Sequence, residues 1–246
     1  MKVVILGGTG GMGRALARGM VARGDSVFLL GNAPDELARS AADLTERQRE
    51  RTRVGHAHCD LERPEGFAAA LDAADEALGG FDTVVVTAAM FATQEALEAD
   101  VELARRLVTV NYANTVAFCE RARTRLLARG GGRLVAFSSV AGDRGRKPVV
   151  LYGSSKAGLS AYLEGLDHKF HAAGLTVVCV KPGFVKTSMT TGLKPPPFAG
   201  EPEGVARQVL RAIDRGKPVV YTPGIWALVM MVIRWLPRFV MRKISF

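Results

Sequence analysis

Seven short apolar runs, spaced by segments of helical length, constrain this chain more than any other feature. The runs cover residues 3–6, 26–30, 54–58, 83–87, 133–138, 176–181 and 219–221. Candidate helices lie between them at 11–23, 33–51, 64–78, 101–128, 152–172 and 202–215. Strands without polar alternation are buried on both faces, and strands alternating with helices imply a parallel sheet with helices on each side. The expectation is one α/β domain with a doubly wound, seven-stranded sheet. A length of 246 residues suits one large domain, and no repeat or linker divides it. Lys194-Pro195-Pro196-Pro197 reads as a loop over a site rather than a domain boundary. The domain is expected over 1–222, with a dependent helical tail over 223–246.

The first run leads directly into Gly7-Gly8-Thr9-Gly10-Gly11-Met12-Gly13 and then a helical pattern. Gly7, Gly11 and Gly13 are spaced G-x-x-x-G-x-G. Such a loop needs a tight turn, a backbone that approaches a pyrophosphate closely, and a helix N-terminus whose free N–H groups attract anions. Its place between first strand and first helix makes this a Rossmann-type nucleotide site. Gly7, Thr9, Gly10, Gly11, Met12 and Gly13 are expected to touch the phosphates.

A second group follows the fifth run. Ser139 is followed by Tyr152-Gly153-Ser154-Ser155-Lys156, a Y-x-x-x-K. Positions i and i+4 share a helix face, so phenol and ammonium can enter one site. A free phenol titrates near pH ~10, and a neighbouring ammonium, with the positive nicotinamide of an oxidised cofactor, is expected to lower that value. Ser139 would then hold a carbonyl oxygen while Tyr152 gives it a proton. The bland alternative is a solvated Tyr and Lys on an amphipathic helix.

These two motifs in this order resemble the short-chain dehydrogenase/reductase family from residue 1 to about 222. The resemblance implies a reductase with Asn111, Ser139, Tyr152 and Lys156 as the catalytic set. Asn111, in Val110-Asn111-Tyr112, would hold a proton-relay water. Lys156 would also bind the nicotinamide ribose. Asp60, in Cys59-Asp60-Leu61, would contact adenine with Leu61 beside it. In Pro182-Gly183-Phe184-Val185-Lys186-Thr187, the resemblance assigns Pro182 and Gly183 to the cofactor wall. It sets the Val185 backbone and Thr187 side chain on the nicotinamide amide. The chain departs from the family where Thr87-Ala88-Ala89 replaces Asn-Ala-Gly; Ala88 is still expected at the cofactor wall. It departs again at Leu6, where a threonine usually opens the glycine loop. The second strand ends Leu30-Gly31-Asn32-Ala33, with neither the acid that repels a 2′-phosphate nor an arginine that rewards it. Asn32 is expected at the ribose, and the reading favours NADPH over NADH.

Net charge is +9, which raises a polyanionic partner. Six of those charges, Arg215, Lys217, Arg234, Arg238, Arg242 and Lys243, follow the last acid, Asp214. The near-neutral body argues against a nucleic-acid partner. The tail is also very apolar from Ile225 to Ile233, yet too short to span a bilayer. Arg234, Arg238 and Arg242 recur every four residues, which would align them on one helix face, although Pro237 can split the segment. Trp226, Trp235 and Phe239 beside arginines have the composition of an interfacial helix, predicting peripheral membrane contact through 225–246. The competing expectation is a buried subunit interface in a homo-oligomer. Tail and motif stretches further resemble decaprenylphosphoryl-2-keto-erythro-pentose reductases, which implies a lipid-phosphate keto-sugar substrate. Reduction of another hydrophobic ketone is the alternative, and a non-catalytic nucleotide-binding scaffold is the alternative of another class. Cys59, Cys119 and Cys179 form no CxxC pair, and His56/His58 and His168/His171 lack further ligands. No disulfide or metal is expected. The expected location is the cytoplasm, at an inner membrane surface.

Overall fold

A computed structural model describes residues 1–48 and 52–244. The strands are β1 (Lys2–Leu6), β2 (Ser26–Gly31), β3 (Val54–His58), β4 (Thr83–Val86), β5 (Gly132–Phe137), β6 (Leu175–Pro182) and β7 (Val219–Thr222). All neighbours pair in parallel, in the order β3-β2-β1-β4-β5-β6-β7. The order reverses at β1, between β2 and β4, which opens a crevice at the strands' carboxyl ends.

Successive strand residues point to opposite faces, and each face has its own core. Val3 and Ile5 of β1 point towards α1 (Gly11–Ala22), α2 (Pro34–Arg47) and, further along the sheet, α8 (Pro202–Asp214). Leu16, Met20, Leu37, Val209 and Ile213 fill that side. Val4 and Leu6 point the other way, onto α3 (Phe67–Leu78), α6 (Thr115–Ala128) and α7 (Val150–Phe170). There Phe67 and Phe118 meet edge to face, 5.4 Å between ring centres. The expected doubly wound sheet is what the chain forms.

The helices differ from expectation in three places. A short helix, α4 (Gln94–Ala99), was not anticipated; the Thr93 hydroxyl caps it by accepting from the Ala96 N–H. The single helix expected over 101–128 is α5 (Val101–Val108), a π-helical turn at Thr109–Asn114, and α6. The hydrophobic period runs straight through that stretch, so nothing in it announces the wider turn. α2 ends at Arg47, and residues 49–51 of the expected helix lie outside the described residues.

The tail forms α9 (Ile225–Trp235) and α10 (Arg238–Met241). Leu236 leaves the helical conformation, with ψ 132°, before Pro237. The expected single arginine face is therefore broken: Arg234 belongs to α9 and Arg238 to α10. Among the described residues no helix is long and apolar enough to cross a membrane.

Candidate active site

The nucleotide cradle begins where β1 stops. Gly7 turns with φ +91°, in the left-handed region where a side chain is strained. A Cβ at Gly7 would lie 2.5 Å from the Ala88 nitrogen, and one at Gly13 would collide with the Gly7 carbonyl. The loop is thus folded tightly on itself and on the end of β4. Thr87 makes that joint: its hydroxyl lies 3.1 Å from the Leu6 carbonyl and 2.9 Å from that of Gly7. The threonine that replaces the family's asparagine so ties the glycine loop to the sheet.

Gly10 differs from its neighbours. It precedes α1 in extended conformation, and a Cβ there would meet nothing within 4 Å. No side chain caps α1 and no acid lies in its first turn. Its first N–H groups therefore face an open cleft, the arrangement that receives a pyrophosphate. The cleft is about 380 Å³. Gly7, Thr9, Gly10, Gly11, Met12, Gly13, Asn32, Asp60, Leu61, Ala88 and Thr187 all line it. Asp60 closes a turn by accepting from the Glu62 N–H at 2.9 Å. Thr187 reaches across from beyond β6 and packs its methyl 2.6 Å from where a Gly11 Cβ would stand. These glycines and this helix end fit a dinucleotide.

Pro182, Gly183, Val185, Tyr152 and Lys156 do not line the cleft. Pro182 is the last residue of β6, Val185 is buried, and Gly183 is covered from outside by the Trp226 indole. Arg14 of α1 and Glu36 of α2 approach to 3.9 Å, a pair that inspection of the strand end alone overlooks. Glu62 and Arg106 pair at the far wall of the cleft, with bonds of 2.8 and 2.5 Å.

The catalytic candidates converge at the carboxyl end of β5. Ser139 opens a tight turn at Val140–Gly142, its Oγ accepting from the Ala141 N–H at 3.1 Å. Two glycines lock that turn to α7. A Cβ on Gly142 would lie 2.7 Å from the Ala157 nitrogen, and one on Gly153 would lie 2.8 Å from the Ala141 carbonyl. Backbone therefore touches backbone, and Ser139 is held against the first turns of α7, which carry Tyr152 and Lys156. Tyr152 stands edge-on to Phe91, with 5.3 Å between ring centres. The Lys156 ammonium passes beneath the Tyr152 ring, 5.8 Å from its centre, and donates to the Phe137 carbonyl at 2.9 Å.

The Lys156 ammonium alone does not bring the Tyr152 phenol down. Burial pushes Tyr152 up to about 12, and a hydrogen bond with Ser139 opposes that only in part. Burial also brings Lys156 down to about 8, because the charged form is the one desolvation penalises. The ammonium spends itself on a backbone carbonyl instead of the phenol.

Asn111 sits in the π-turn, fully buried. Its Oδ1 accepts from the Met90 N–H at 2.7 Å and its Nδ2 donates to the Met90 carbonyl at 2.8 Å. One donor and one acceptor position of the amide remain for a further partner. The wider turn rotates this side chain toward the segment that follows β4, and π-turns are frequent at functional sites.

A buried polar network lies behind the Ser139 turn. Asp143 accepts from Lys181 on β6 and from the Tyr221 hydroxyl on β7, both at 2.6 Å. Tyr221 in turn interacts with Arg234 of α9. The tail also reaches the site directly. Trp226 donates from Nε1 to the Phe198 carbonyl at 3.3 Å, and Arg144 donates to the Leu236 carbonyl at 2.8 Å. None of these contacts could be inferred from spacing.

A sheet with this switch point, a glycine cradle in its crevice and a Ser–Tyr–Lys group beside it define an NAD(P)-dependent oxidoreductase. The family model described as short chain dehydrogenase matches residues 1–197. The chain belongs to the short-chain dehydrogenase/reductase family. It is 35% identical to an uncharacterized oxidoreductase of Mycobacterium tuberculosis over 243 residues, 98% of this chain and 96% of the relative. It is 34% identical to another from Streptomyces coelicolor, covering 99% of this chain and 95% of that one. Two solved structures share the fold. One is a short-chain type dehydrogenase/reductase from Mycobacterium ulcerans (TM-score 0.81, 24% identity, 89% of this chain and 87% of that one). The other is actinorhodin polyketide ketoreductase with NADPH (TM-score 0.80, 23% identity, 90% of this chain and 95% of that one).

Proposed function

We propose that this protein is an NADPH-dependent ketoreductase acting on a hydrophobic ketone, with a lipid-linked keto sugar as the favoured substrate. The observation that carries the reading is the convergence of Ser139, Tyr152 and Lys156 at the end of β5, beside an open glycine cradle. A bound nicotinamide dinucleotide supplies the hydride. The Ser139 hydroxyl holds the substrate's carbonyl oxygen and Tyr152 gives that oxygen its proton from Oη. Neutral phenol is the form burial favours, so the proton is in place at neutral pH. Lys156 keeps a cation beneath the ring that steadies negative charge as the proton leaves. Asn111 has amide valences left for a water that returns the proton. For NADPH speaks the missing acid at Asn32.

The exposed apolar residues Met189, Leu193 and Phe198 beyond β6 favour an apolar substrate. The basic tail favours one that carries phosphate. A polyketide-like or 3-ketoacyl ketone is the second reading, favoured by the likeness in fold to a polyketide ketoreductase.

The test is NADPH oxidation with polyprenylphosphoryl 2-keto-pentose, 3-ketoacyl and bicyclic ketone substrates. In Tyr152→Phe, turnover is expected to fall about 10²- to 10⁴-fold while NADPH binding, read by fluorescence, stays unchanged. Undiminished turnover in that variant would remove Tyr152 as the acid. NADPH binding without turnover of any ketone would favour the scaffold reading.

A further inference from the structure

Apart from Arg234 in its last turn α9 is apolar all the way round, yet only one side of it is covered. Trp226, Val229, Met230 and Ile233 follow a helical i, i+3, i+4, i+7 pattern and face the body, with Met230 fully buried. Leu228, Met231, Val232 and Trp235 follow the same pattern on the opposite side. They are exposed by 58%, 57%, 60% and 85%. Phe239 of α10, 65% exposed, continues that surface. A helix apolar on every side is normally enclosed, so this face calls for a partner.

The chemistry around the face selects the partner. Arg234 on α9, Arg238 on α10, and Arg242 and Lys243 just after α10 are all exposed, and no acid follows Asp214. A second copy meeting this patch about a two-fold axis would bring one set of cations against the same set. An anionic lipid surface offers apolar chains for the stripe and phosphates for the fringe at once. With 11 residues in α9 the helix cannot cross a bilayer, so it would lie in the plane.

We propose that α9 and α10 dock this protein on an anionic lipid bilayer, outward stripe down, with the segment after β6 held at that same surface. The second part follows from Trp226, which covers Gly183 and bonds the Phe198 carbonyl, and from the Arg144–Leu236 bond. The docking helix thus grips both the loop expected to cover substrate and the turn that carries Ser139. Docking does not depend on the ketoreductase reading, and its test needs no substrate.

The test is co-sedimentation with vesicles of phosphatidylcholine alone or mixed equally with phosphatidylglycerol. Binding is expected only to the anionic vesicles, weakening with salt, and with a blue shift of tryptophan emission. Arg238→Gln combined with Arg242→Gln is expected to lower partitioning roughly 10- to 30-fold, at about 1 kcal/mol per cation. Leu228→Ser with Val232→Ser and Trp235→Ser is expected to abolish binding. An unchanged thermal melt and NADPH affinity in these variants would exclude loss of fold as the cause. No binding of the unaltered protein to anionic vesicles at low salt overturns the proposal. So does equal binding to both vesicle types by all variants. A dimer seen by analytical ultracentrifugation, dissolved by the serine variant and indifferent to vesicles, would assign the face to a second copy instead.

Discussion

Lys156 and Tyr152 are both shifted by burial, in opposite senses about their charges. Lys156 titrates near 8 when folded against 10.5 when free. Between those values the unfolded chain binds more protons than the folded one, so stability rises with pH through that window. Tyr152 titrates at about 12 against 10.0. Its folded form holds the proton longer, so its contribution is full below pH 10 and is lost as pH rises toward 12. Denaturant melts of the protein and of Lys156→Met should therefore diverge steadily from pH 8 to about 10, in favour of the parent. Parallel curves would show that Lys156 is not depressed. The same residue should shape the rate: kcat/KM for reduction is expected to fall above pH 8, where the buried ammonium is lost. A lowering of the phenol by the ammonium alone is absent for a clear reason. An i, i+4 spacing shows that two groups share a face. It does not show how deeply they are buried, or that Phe137 already claims the ammonium.

Among elements, α1 and its loop offer the sharpest contrast. Gly10 and Gly13 lie three residues apart, but a methyl group at Gly10 enters open space while one at Gly13 strikes the Gly7 carbonyl. Gly10→Ala is expected to keep the melting temperature and to weaken NADPH binding about tenfold or more, as measured by titration. Gly13→Ala should lower stability by about 1–3 kcal/mol in denaturant melts, the range of an overpacked core. Equal stability of the two would refute the crowding. A similar argument links β6 to α9. Gly183→Ala should destabilise by a similar amount, and Trp226→Ala should suppress much of that penalty in the double variant. The cradle was legible in sequence because a turn, a helix end and close backbone approach all demand glycine at set places. The contacts of Gly142 with Ala157 and of Gly153 with Ala141 were not, since they join two segments whose nearness exists only once the sheet has formed. Asn111 was legible through family resemblance alone, and its π-turn left no mark on the hydrophobic period.

For the molecule as a whole, the tail decides how far the site is self-contained. It packs against the rest of the chain: Met230 is buried, and Trp226 and Arg234 bind elements that carry the site. Removing residues 224–246 is expected to lower the melting temperature by several degrees. It should also raise KM for an apolar ketone more than it changes NADPH affinity, because no residue of the tail lines the cradle. A tailless protein with unaltered melt and kinetics would make the tail an appendage. The doubly wound architecture was readable because seven apolar runs and their spacing repeat one period over the whole chain. The tail's two faces were not, because composition reports that a helix is apolar and not which side finds a partner.

The bond from Thr87 to the Gly7 carbonyl joins residues 80 apart in the chain. Closing so long a loop is slow and costly in chain entropy, and nothing in the first 80 residues can complete the joint. The phosphate cradle must then be absent from any intermediate in which β4 has not reached β1. Added dinucleotide can capture chains that have passed that point, but it cannot hasten them toward it. The moment a refolding sample first quenches NADPH fluorescence would thus time one event, the arrival of β4 at the centre of the sheet.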